Sequence, residues 1–427
     1  MQHKSGTDSP GPAESDLISA YLRYASESSE VPAIFHRWAI ICGIGAMLGR
    51  RYYFRHGHST ILPNFYCMLM GSPGTRKSSA INISKRLLRE AGYDKFSAEK
   101  TTKEKFLMDM AGESSPGADD FLEQEIFGES LGEDAEVYIA ADEFNDFFGN
   151  NGIDFVALLG TLWDWSGKYE NKIKNGQSVF INNPTISILG GNTPTGFALA
   201  FPAEVFGQGF FSRILLIHGD PSGRRIAFPD PPSDAVRAEL VLQLQKIRAA
   251  VQGEAKLHPD AKVFLSHIYE KITHPVDDVR FATYSTRRFT HLLKLCLITS
   301  AARCSTTIEL QDAVAAHTYL SYAESRMPQA LGEFGKSKHS EVSHKIVQLT
   351  LSTDSVLSFQ EIWKHVQSDL EKVSDLATVL QNLVTADKLQ AVPGGAGYVA
   401  KRRIAQDFSS ECFNVGLLTA EERASLI

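Results

Sequence analysis

The stretch GSPGTRKSSA, residues 71–80, decides how the rest of the chain is interpreted. It matches the phosphate-binding loop pattern G-x-x-x-x-G-K-[ST] except at Arg76, which stands where the pattern has its last glycine. Backbone amides of such a loop curl around phosphates at a helix N-terminus, Lys77 reaches the β- and γ-phosphates, and the Ser78 hydroxyl takes a place on Mg²⁺. The residues predicted to hold the nucleotide are Gly71, Ser72, Pro73, Gly74, Thr75, Arg76, Lys77, Ser78 and Ser79. The alternative is an ordinary strand-turn-helix with a solvent-facing lysine.

Strand and helix patterns surround this loop. The apolar run NFYCMLM (64–70) predicts a buried strand, and SSAINISKRLLREAG (78–92) predicts the helix that the loop feeds. Three more strands are predicted at AEVYIAADE (135–143), PTISILGGN (184–192) and FSRILLIHGD (211–220). A helix is predicted between the first two of them, at NGIDFVALLGTLWDW (151–165). Alternating strands and helices predict an α/β core with a parallel sheet.

Polar residues follow two of these strands. Asp142 and Glu143 end the second strand, where ligands bind in open α/β sheets, so Asp142 would hold Mg²⁺ through water. Glu143 would polarise the water that attacks the γ-phosphate. Asn192 ends the third strand and would lie between the two phosphate-binding strands, where it could orient that water, with Thr193 as the second choice. The alternatives are an acidic turn and a plain Gly-Gly and Asn-Thr-Pro turn.

A basic hairpin is predicted between the second and third strands. Asn175-Gly176 is a strong two-residue hairpin signal, and Lys172 and Lys174 stand before it. Such a hairpin could contact a nucleic-acid backbone by charge without reading the sequence. The alternative is an exposed strand edge that its lysines keep soluble.

Composition limits the function classes. The chain has 427 residues, 43% hydrophobic and 22% charged, with a formal charge of -7, so any DNA contact must be concentrated in local basic elements. Its five cysteines have no C-x-x-C or C-x-x-H spacing, which predicts neither a disulfide framework nor a zinc site. The first residues lack an apolar h-region and the longest apolar run contains His36 and Arg37, so we expect a cytoplasmic protein without membrane contact.

Six segments are predicted along the chain. After the core the pattern becomes helical, which predicts an all-helical lid, and three short helices with a hairpin turning at Gly394-Gly395 predict a winged helix. A protein-contact module is the alternative role of that winged helix. The segments are an N-terminal, mostly helical module (1–62), the core (63–220), the lid (221–330), a linker (331–340), the winged helix (341–403) and a C-terminal tail (404–427).

The order of these parts resembles the AAA+ ATPases, specifically the MCM-like helicase branch with its relatives in phages and mobile elements. In that branch the loop reads G-D-P-G-[TV]-[AS]-K-S, so the last glycine is already absent, although the branch has a small residue where this chain has Arg76. The resemblance covers about residues 60–330 and, more loosely, the winged helix. The N-terminal module does not resemble the usual N-terminal domain of the branch.

The resemblance implies two further site residues. An arginine finger is implied at Arg213, because FSRIL matches the S-R-F-D-like element of the branch at Ser212 and Arg213 but lacks its Asp. A sensor-2 arginine that opens a lid helix is implied at Arg287, with Arg288 as the neighbouring alternative.

The function expected from this resemblance is that of a hexameric, ring-forming DNA helicase or translocase for replication of a phage or mobile element. ATP with Mg²⁺ would bind between subunits, Arg213 would come from the neighbour, and Lys172 and Lys174 would line a channel for single-stranded or forked DNA. Replication proteins are expected as further partners. The alternative is a regulatory switch ATPase, such as a helicase loader or a transposition regulator, that does not unwind DNA processively.

Overall fold

The chain folds into two compact units. The computed structural model describes residues 16–112, 134–148, 152–172, 178–201, 209–272, 275–276, 278–332, 338–353, 356–370, 372–385, 389–392, 397–400 and 412–426. The first unit contains the described residues up to 332 together with those from 412 onwards. The second contains those between 338 and 400.

The first unit is an α/β structure. Its strands are β1 (Tyr52–His56), β2 (Ser59–Ile61), β3 (Tyr66–Met70), β4 (Glu136–Ala141), β5 (Lys168–Lys172), β6 (Ser178–Asn182), β7 (Thr185–Asn192), β8 (Ile214–His218), β9 (Gly253–Glu254), β10 (Lys256–Leu257) and β11 (Thr307–Ile308). Its helices before β8 are α1 (Leu17–Glu27), α2 (Ala33–Leu48), α3 (Lys77–Glu90), α4 (Lys103–Met110), α5 (Phe144–Phe148), α6 (Gly152–Leu162) and α7 (Pro194–Ala200). The helices after β8 are α8 (Asp234–Ala250), α9 (Pro259–Lys271), α10 (Ala282–Ser285), α11 (Arg288–Ala302) and α12 (Leu310–Leu331), and α16 (Ala420–Ala424) comes from the C-terminal segment.

A four-stranded parallel sheet forms the core, in the order β4-β7-β3-β8. Every residue of β3 and β7 is buried, as expected for central strands of a parallel sheet that is covered on both faces. Met70 at the end of β3 lies opposite Asn192 of β7 and His218 of β8. The strand that ends at Asn192 therefore separates β3 from β4, as the sequence predicts, and the carboxyl ends of all four strands meet at one edge.

The N-terminal helices belong to the same unit as the sheet. All 16 residues of α2 are buried, and the helix packs against β3, β7, β8 and α3. The buried Arg37 of α2 pairs with Glu422 of the C-terminal segment, with Nε 3.1 Å from Oε1. The boundary predicted at residues 62 and 63 therefore separates no compact units, and the end of the predicted tail returns to the first unit.

The helical region after β8 also belongs to the first unit. Its long helices α8, α9, α11 and α12 form where the sequence predicts helices, and α12 packs against both α11 and β8. Among the described residues, no helix combines the length and apolar character needed to cross a bilayer.

The second unit has the predicted order of three helices and a hairpin. The elements are α13 (Lys338–Thr353), α14 (Phe359–Val366), α15 (Val373–Thr385), β12 (Leu389–Val392) and β13 (Gly397–Ala400). The two strands pair antiparallel, and a small apolar core that includes Ile346, Ile362 and Leu380 joins the helices. The turn predicted at Gly394-Gly395 lies outside the described residues.

Candidate nucleotide site

The loop between β3 and α3 is a tight turn at the carboxyl edge of the sheet. A side-chain carbon at Gly71 would lie 2.8 Å from the carbonyl oxygen of Gly219, so only glycine fits there. Gly74 has a φ of +87°, which glycine adopts without steric cost. The loop thus has the close backbone approach and the helix N-terminus that anion binding uses.

Arg76 adopts the left-handed conformation that the missing glycine would adopt easily. Its φ is 60° and its ψ is 30°, directly before the first residue of α3. The guanidinium points to Glu30 of the α1–α2 connection, with Nη2 2.8 Å from the carboxylate. Glu30 also accepts the backbone N–H of Ile226 at 2.8 Å, and this bond, followed by Arg76, lowers the pKa of the carboxyl. The arginine therefore preserves the backbone turn, and its side chain contacts Glu30.

Lys77 lies inside the loop. Its ammonium donates to the carbonyl oxygens of Gly71 at 2.9 Å and Ser72 at 3.1 Å and to the hydroxyl of Thr75 at 3.1 Å. Partial burial lowers the pKa of Lys77. A phosphate held by the loop would offer this ammonium charged oxygens in place of neutral ones. Hydrogen bonds between charged groups are roughly twice as strong as those between neutral groups.

The acidic pair reaches the same place. Asp142 and Glu143 are exposed and directly follow β4. A side-chain carbon at Gly191 of β7 would lie 2.3 Å from the Asp142 carbonyl oxygen and 3.5 Å from Cβ of Lys77. The Asp142 backbone and the start of α3 therefore lie within 4 Å of the same point beside Gly191, which places the segment that carries the two carboxylates next to the loop lysine.

Asn192 is 8% exposed at the end of β7. Its Oδ1 accepts the backbone N–H of Thr193 at 2.9 Å, and its Nδ2 donates to Oδ1 of Asn145 at 2.8 Å. Thr193, the second choice for this role, is used as the N-cap of α7, where its hydroxyl accepts from Gly196 N at 2.9 Å. Sequence reasoning missed Asn145; its only sequence signal is an amide residue two positions after Glu143.

Arg213 lies at the opposite edge of the sheet. It precedes β8, whereas Gly71, Asp142 and Asn192 stand at the carboxyl ends of their strands. Because β8 has five residues, each rising about 3.3 Å, the two edges are ~15 Å apart. The structure therefore does not bring Arg213 to the loop of its own chain.

Arg287 lies with Arg213 at this second edge. The two guanidinium carbons are 5.5 and 5.8 Å from the ring centre of Trp163, and Arg287 also lies 3.9 Å from Asp164. Burial, and then the neighbouring Arg287, lower the pKa of Arg213. Arg213 Nη1 donates to the carbonyl oxygen of Gly209 at 2.5 Å.

Arg288, the alternative to Arg287, has a structural role. Its side chain is buried and donates from Nε to Glu324 at 2.8 Å and from Nη2 to Ser321 at 3.0 Å. Arg287, with about a third of its side chain exposed, is the arginine of the two that an outside ligand can reach.

The two strands of the predicted basic hairpin are present and pair antiparallel. Lys172, the last residue of β5, pairs with Ser178 of β6. Lys174 and the Asn175-Gly176 turn lie outside the described residues.

The residues at the loop edge fit a nucleotide with Mg²⁺. Among the residues that the structure describes, no three or more His, Cys, Asp or Glu side chains form a cluster suited to a metal. Mg²⁺ bound to a nucleotide needs only one or two protein ligands because phosphates and water complete its shell. Ser78, in the first turn of α3, and Asp142 would supply them. No protein-family model matches the chain, and no curated protein matches it significantly.

Proposed function

We propose that this chain is an AAA+ ATPase of the MCM-like helicase branch that hydrolyses ATP between subunits of a ring and moves along DNA. The observation that carries the proposal is the meeting of Lys77, the Asp142-Glu143 pair and Asn192 at one edge of a parallel sheet. Phosphoryl transfer needs these groups: a cation on the phosphates, a carboxylate for the metal, and a carboxylate and an amide for the water.

The roles follow from the positions of the residues. Lys77 would exchange its loop carbonyls for the β- and γ-phosphates, and Glu143 would accept the proton of the attacking water. Bound Mg²⁺, held by Ser78 and Asp142, would neutralise charge on the phosphate oxygens. Asn192 would orient the water.

The position of Arg213 supports a ring. An arginine that stabilises the transferred phosphate must contact it, and Arg213 cannot reach the loop of its own chain across the sheet. A neighbouring subunit can bring its Arg213 edge to this loop, and its Arg287 would arrive with it because both flank Trp163. Subunits that repeat in this way head to tail form a ring where the rotation between neighbours closes and an open filament where it does not, and we propose the closed ring.

The DNA part of the proposal rests on the hairpin and the second unit. In a ring, Lys172 and Lys174 of every subunit would face a central channel, so a chain of charge -7 could still hold single-stranded or forked DNA. The three helices and hairpin of residues 338–400 have the element order of a winged helix, which would serve as a second contact to DNA or to a replication protein. Replication of a phage or mobile element is the proposed setting.

Subunit mixing tests the proposed site. We expect Lys77→Ala to abolish ATP hydrolysis, and Arg213→Ala to lower it ~10³- to 10⁵-fold while leaving ATP binding nearly intact. Mixed rings should recover some activity wherever an intact Arg213 faces an intact Lys77. Arg86→Ala, an exposed change on the same helix as Lys77, is the control and should hydrolyse ATP normally. Full activity of Lys77→Ala would overturn the proposal, and no recovery in verified mixed rings would place Arg213 outside the neighbour's site.

Strand displacement on a forked duplex tests the helicase activity. The wild-type chain should separate the strands with ATP, and Glu143→Gln should bind ATP but neither hydrolyse it nor unwind. ATP hydrolysis without unwinding would instead identify the regulatory switch ATPase.

A further inference from the structure

A series of hydrogen bonds connects α5, the helix that directly follows Glu143, with β7 and α7. The Thr193 N–H donates to Oδ1 of Asn192 at 2.9 Å, and Nδ2 of Asn192 donates to Oδ1 of Asn145 at 2.8 Å. Nδ2 of Asn145 then donates to the carbonyl oxygen of Gly196, also at 2.8 Å. Asn145 is two residues after Glu143, so one end of this hydrogen-bond series lies close in sequence to the proposed base.

The backbone groups at both ends determine how the two amides are oriented. A backbone N–H can only donate, so the Asn192 atom that faces Thr193 must be the oxygen. A backbone carbonyl can only accept, so the Asn145 atom that faces Gly196 must be the nitrogen. With these ends set, Asn192 must donate to Asn145, and the reverse arrangement would break the bonds at both ends.

Close packing keeps the three elements together. A side-chain carbon at Gly196 would lie 2.7 Å from Oδ1 of Asn192, so the bonded arrangement needs glycine there. A carbon at Gly190 would lie 2.9 Å from the ring of Phe144, the buried residue directly before Asn145. Helix α5, which carries Asn145, is therefore anchored on β7.

One N–H of the Asn192 amide remains for a ligand. Nδ2 has two hydrogens, and within the described part of the chain its hydrogen bond goes to Asn145 alone. Without Asn145 the Thr193 N–H would hold the Asn192 amide at its oxygen alone, which leaves more freedom about the last side-chain bond because such torsions are broad. The bond to Asn145 therefore restricts where the second hydrogen points.

We propose that Asn145 is a positioning residue for ATP hydrolysis, holding the Asn192 amide so that its second N–H meets the γ-phosphate or the attacking water. This inference rests on the proposed ATPase function. In this proposal Asn145 does not contact the substrate. Asn145 should therefore affect ATP hydrolysis only through Asn192.

A double-mutant cycle tests the inference. Asn145→Ala should lower kcat about 10- to 100-fold with little change in the KM for ATP, the scale of a misplaced catalytic group. In an Asn192→Ala background the same change should cost less than about twofold, because the group that it positions is gone. Asp146→Asn, an exposed change one residue further on, is the matched control and should keep the wild-type kcat.

The outcomes separate the two proposals. A wild-type chain without ATPase activity overturns the proposed function. Two results would overturn the role of Asn145 alone while the wild-type chain is active. In the first, Asn145→Ala keeps the wild-type kcat. In the second, Asn145→Ala lowers kcat by the same factor in the wild-type and the Asn192→Ala backgrounds. Binding of a fluorescent ATP analogue to each variant verifies that its site is folded, and Asn145→Leu, which keeps the volume, replaces the alanine variant if that one does not fold.

Discussion

Replacing Arg76 by glycine should leave the nucleotide site working and the protein slightly more stable. The left-handed conformation costs a residue with a side chain about 1–2 kcal/mol, and glycine avoids that cost. Glycine loses about 0.5–1 kcal/mol more backbone entropy on folding, which offsets part of the gain. The ion pair with Glu30 contributes little, because 58% of the arginine side chain is exposed and solvent screens it. The balance favours Arg76→Gly by less than about 1 kcal/mol.

Thermal unfolding and ATP turnover measure this balance. Arg76→Gly should raise the unfolding midpoint by about 1–2 °C and keep the KM for ATP within about threefold. Arg76→Ala removes the same guanidinium but keeps the strained φ, so it should be less stable than the glycine variant by about 1 kcal/mol. Cys304→Gly is the matched control, because Cys304 is an exposed residue with a φ of 58° after α11, away from the loop.

Two results would refute this reasoning. If Arg76→Gly is less stable than Arg76→Ala, backbone strain does not explain why most such loops have glycine there. If Arg76→Gly folds but no longer binds ATP, while Cys304→Gly binds it normally, the guanidinium leaves Glu30 for the phosphates when the nucleotide binds.

Three further predictions concern the hairpin, the buried ion pair and pH. The double variant Lys172→Ala, Lys174→Ala should abolish unwinding but leave DNA-independent ATP hydrolysis intact. It should also flatten the slope of the logarithm of DNA affinity against the logarithm of salt concentration by about one for each duplex phosphate that the lysines no longer neutralise. A wild-type slope with intact unwinding would contradict this prediction. Glu422→Ala should destabilise the first unit by about 3–5 kcal/mol in thermal unfolding because it leaves Arg37 buried without its partner, and adding Arg37→Met should restore part of the stability; equal stability of the single and double variants would argue against this cause. Burial lowers the pKa of three histidines to about 3: His36, His291 and His317. These rings bind protons only when the chain unfolds, so the unfolding free energy should fall as the pH is lowered from 6.5 to 4.5, by about 2–3 kcal/mol per histidine at pH 4.5. An unfolding free energy that does not change over this pH range would contradict their burial as neutral rings.

The sheet could be predicted because its strands carry their own signals. The run at β3 is continuously apolar, the run at β7 is rich in Ile and Leu, and polar residues of known chemical type stand at the strand ends. Carboxyl ends of parallel strands share one edge, so Lys77, Asp142 and Asn192 could be expected together from the sequence alone. The position of β7 between β3 and β4 also followed, since Asn192 was expected between the other two, whereas the sequence did not predict where β8 lies.

Other features depend on contacts that no local pattern contains. Arg37 and Glu422 are 385 positions apart, and each alone is typical of a surface charge. The apolar residues of α2 predicted a helix, but they did not distinguish a helix of a separate module from one buried against the sheet. Its burial follows from the packing of α1, α3 and the C-terminal segment around it, which only the folded chain shows.

The edge on which each arginine lies can be predicted only in part from the sequence. Arg213 precedes β8, and a residue before a parallel strand lies at the edge opposite to residues that follow their strands. Arg287 has no such marker, because α11 lies outside the sheet and its start could face either edge. Its position beside Trp163 comes from packing, with Lys294 of the same helix 4.4 Å from that ring and 3.2 Å from Asp164. If ATP is hydrolysed between subunits as proposed, the two arginines belong to the neighbour's site together, and Arg287→Ala should therefore fail to complement Arg213→Ala in mixed rings while both complement Lys77→Ala.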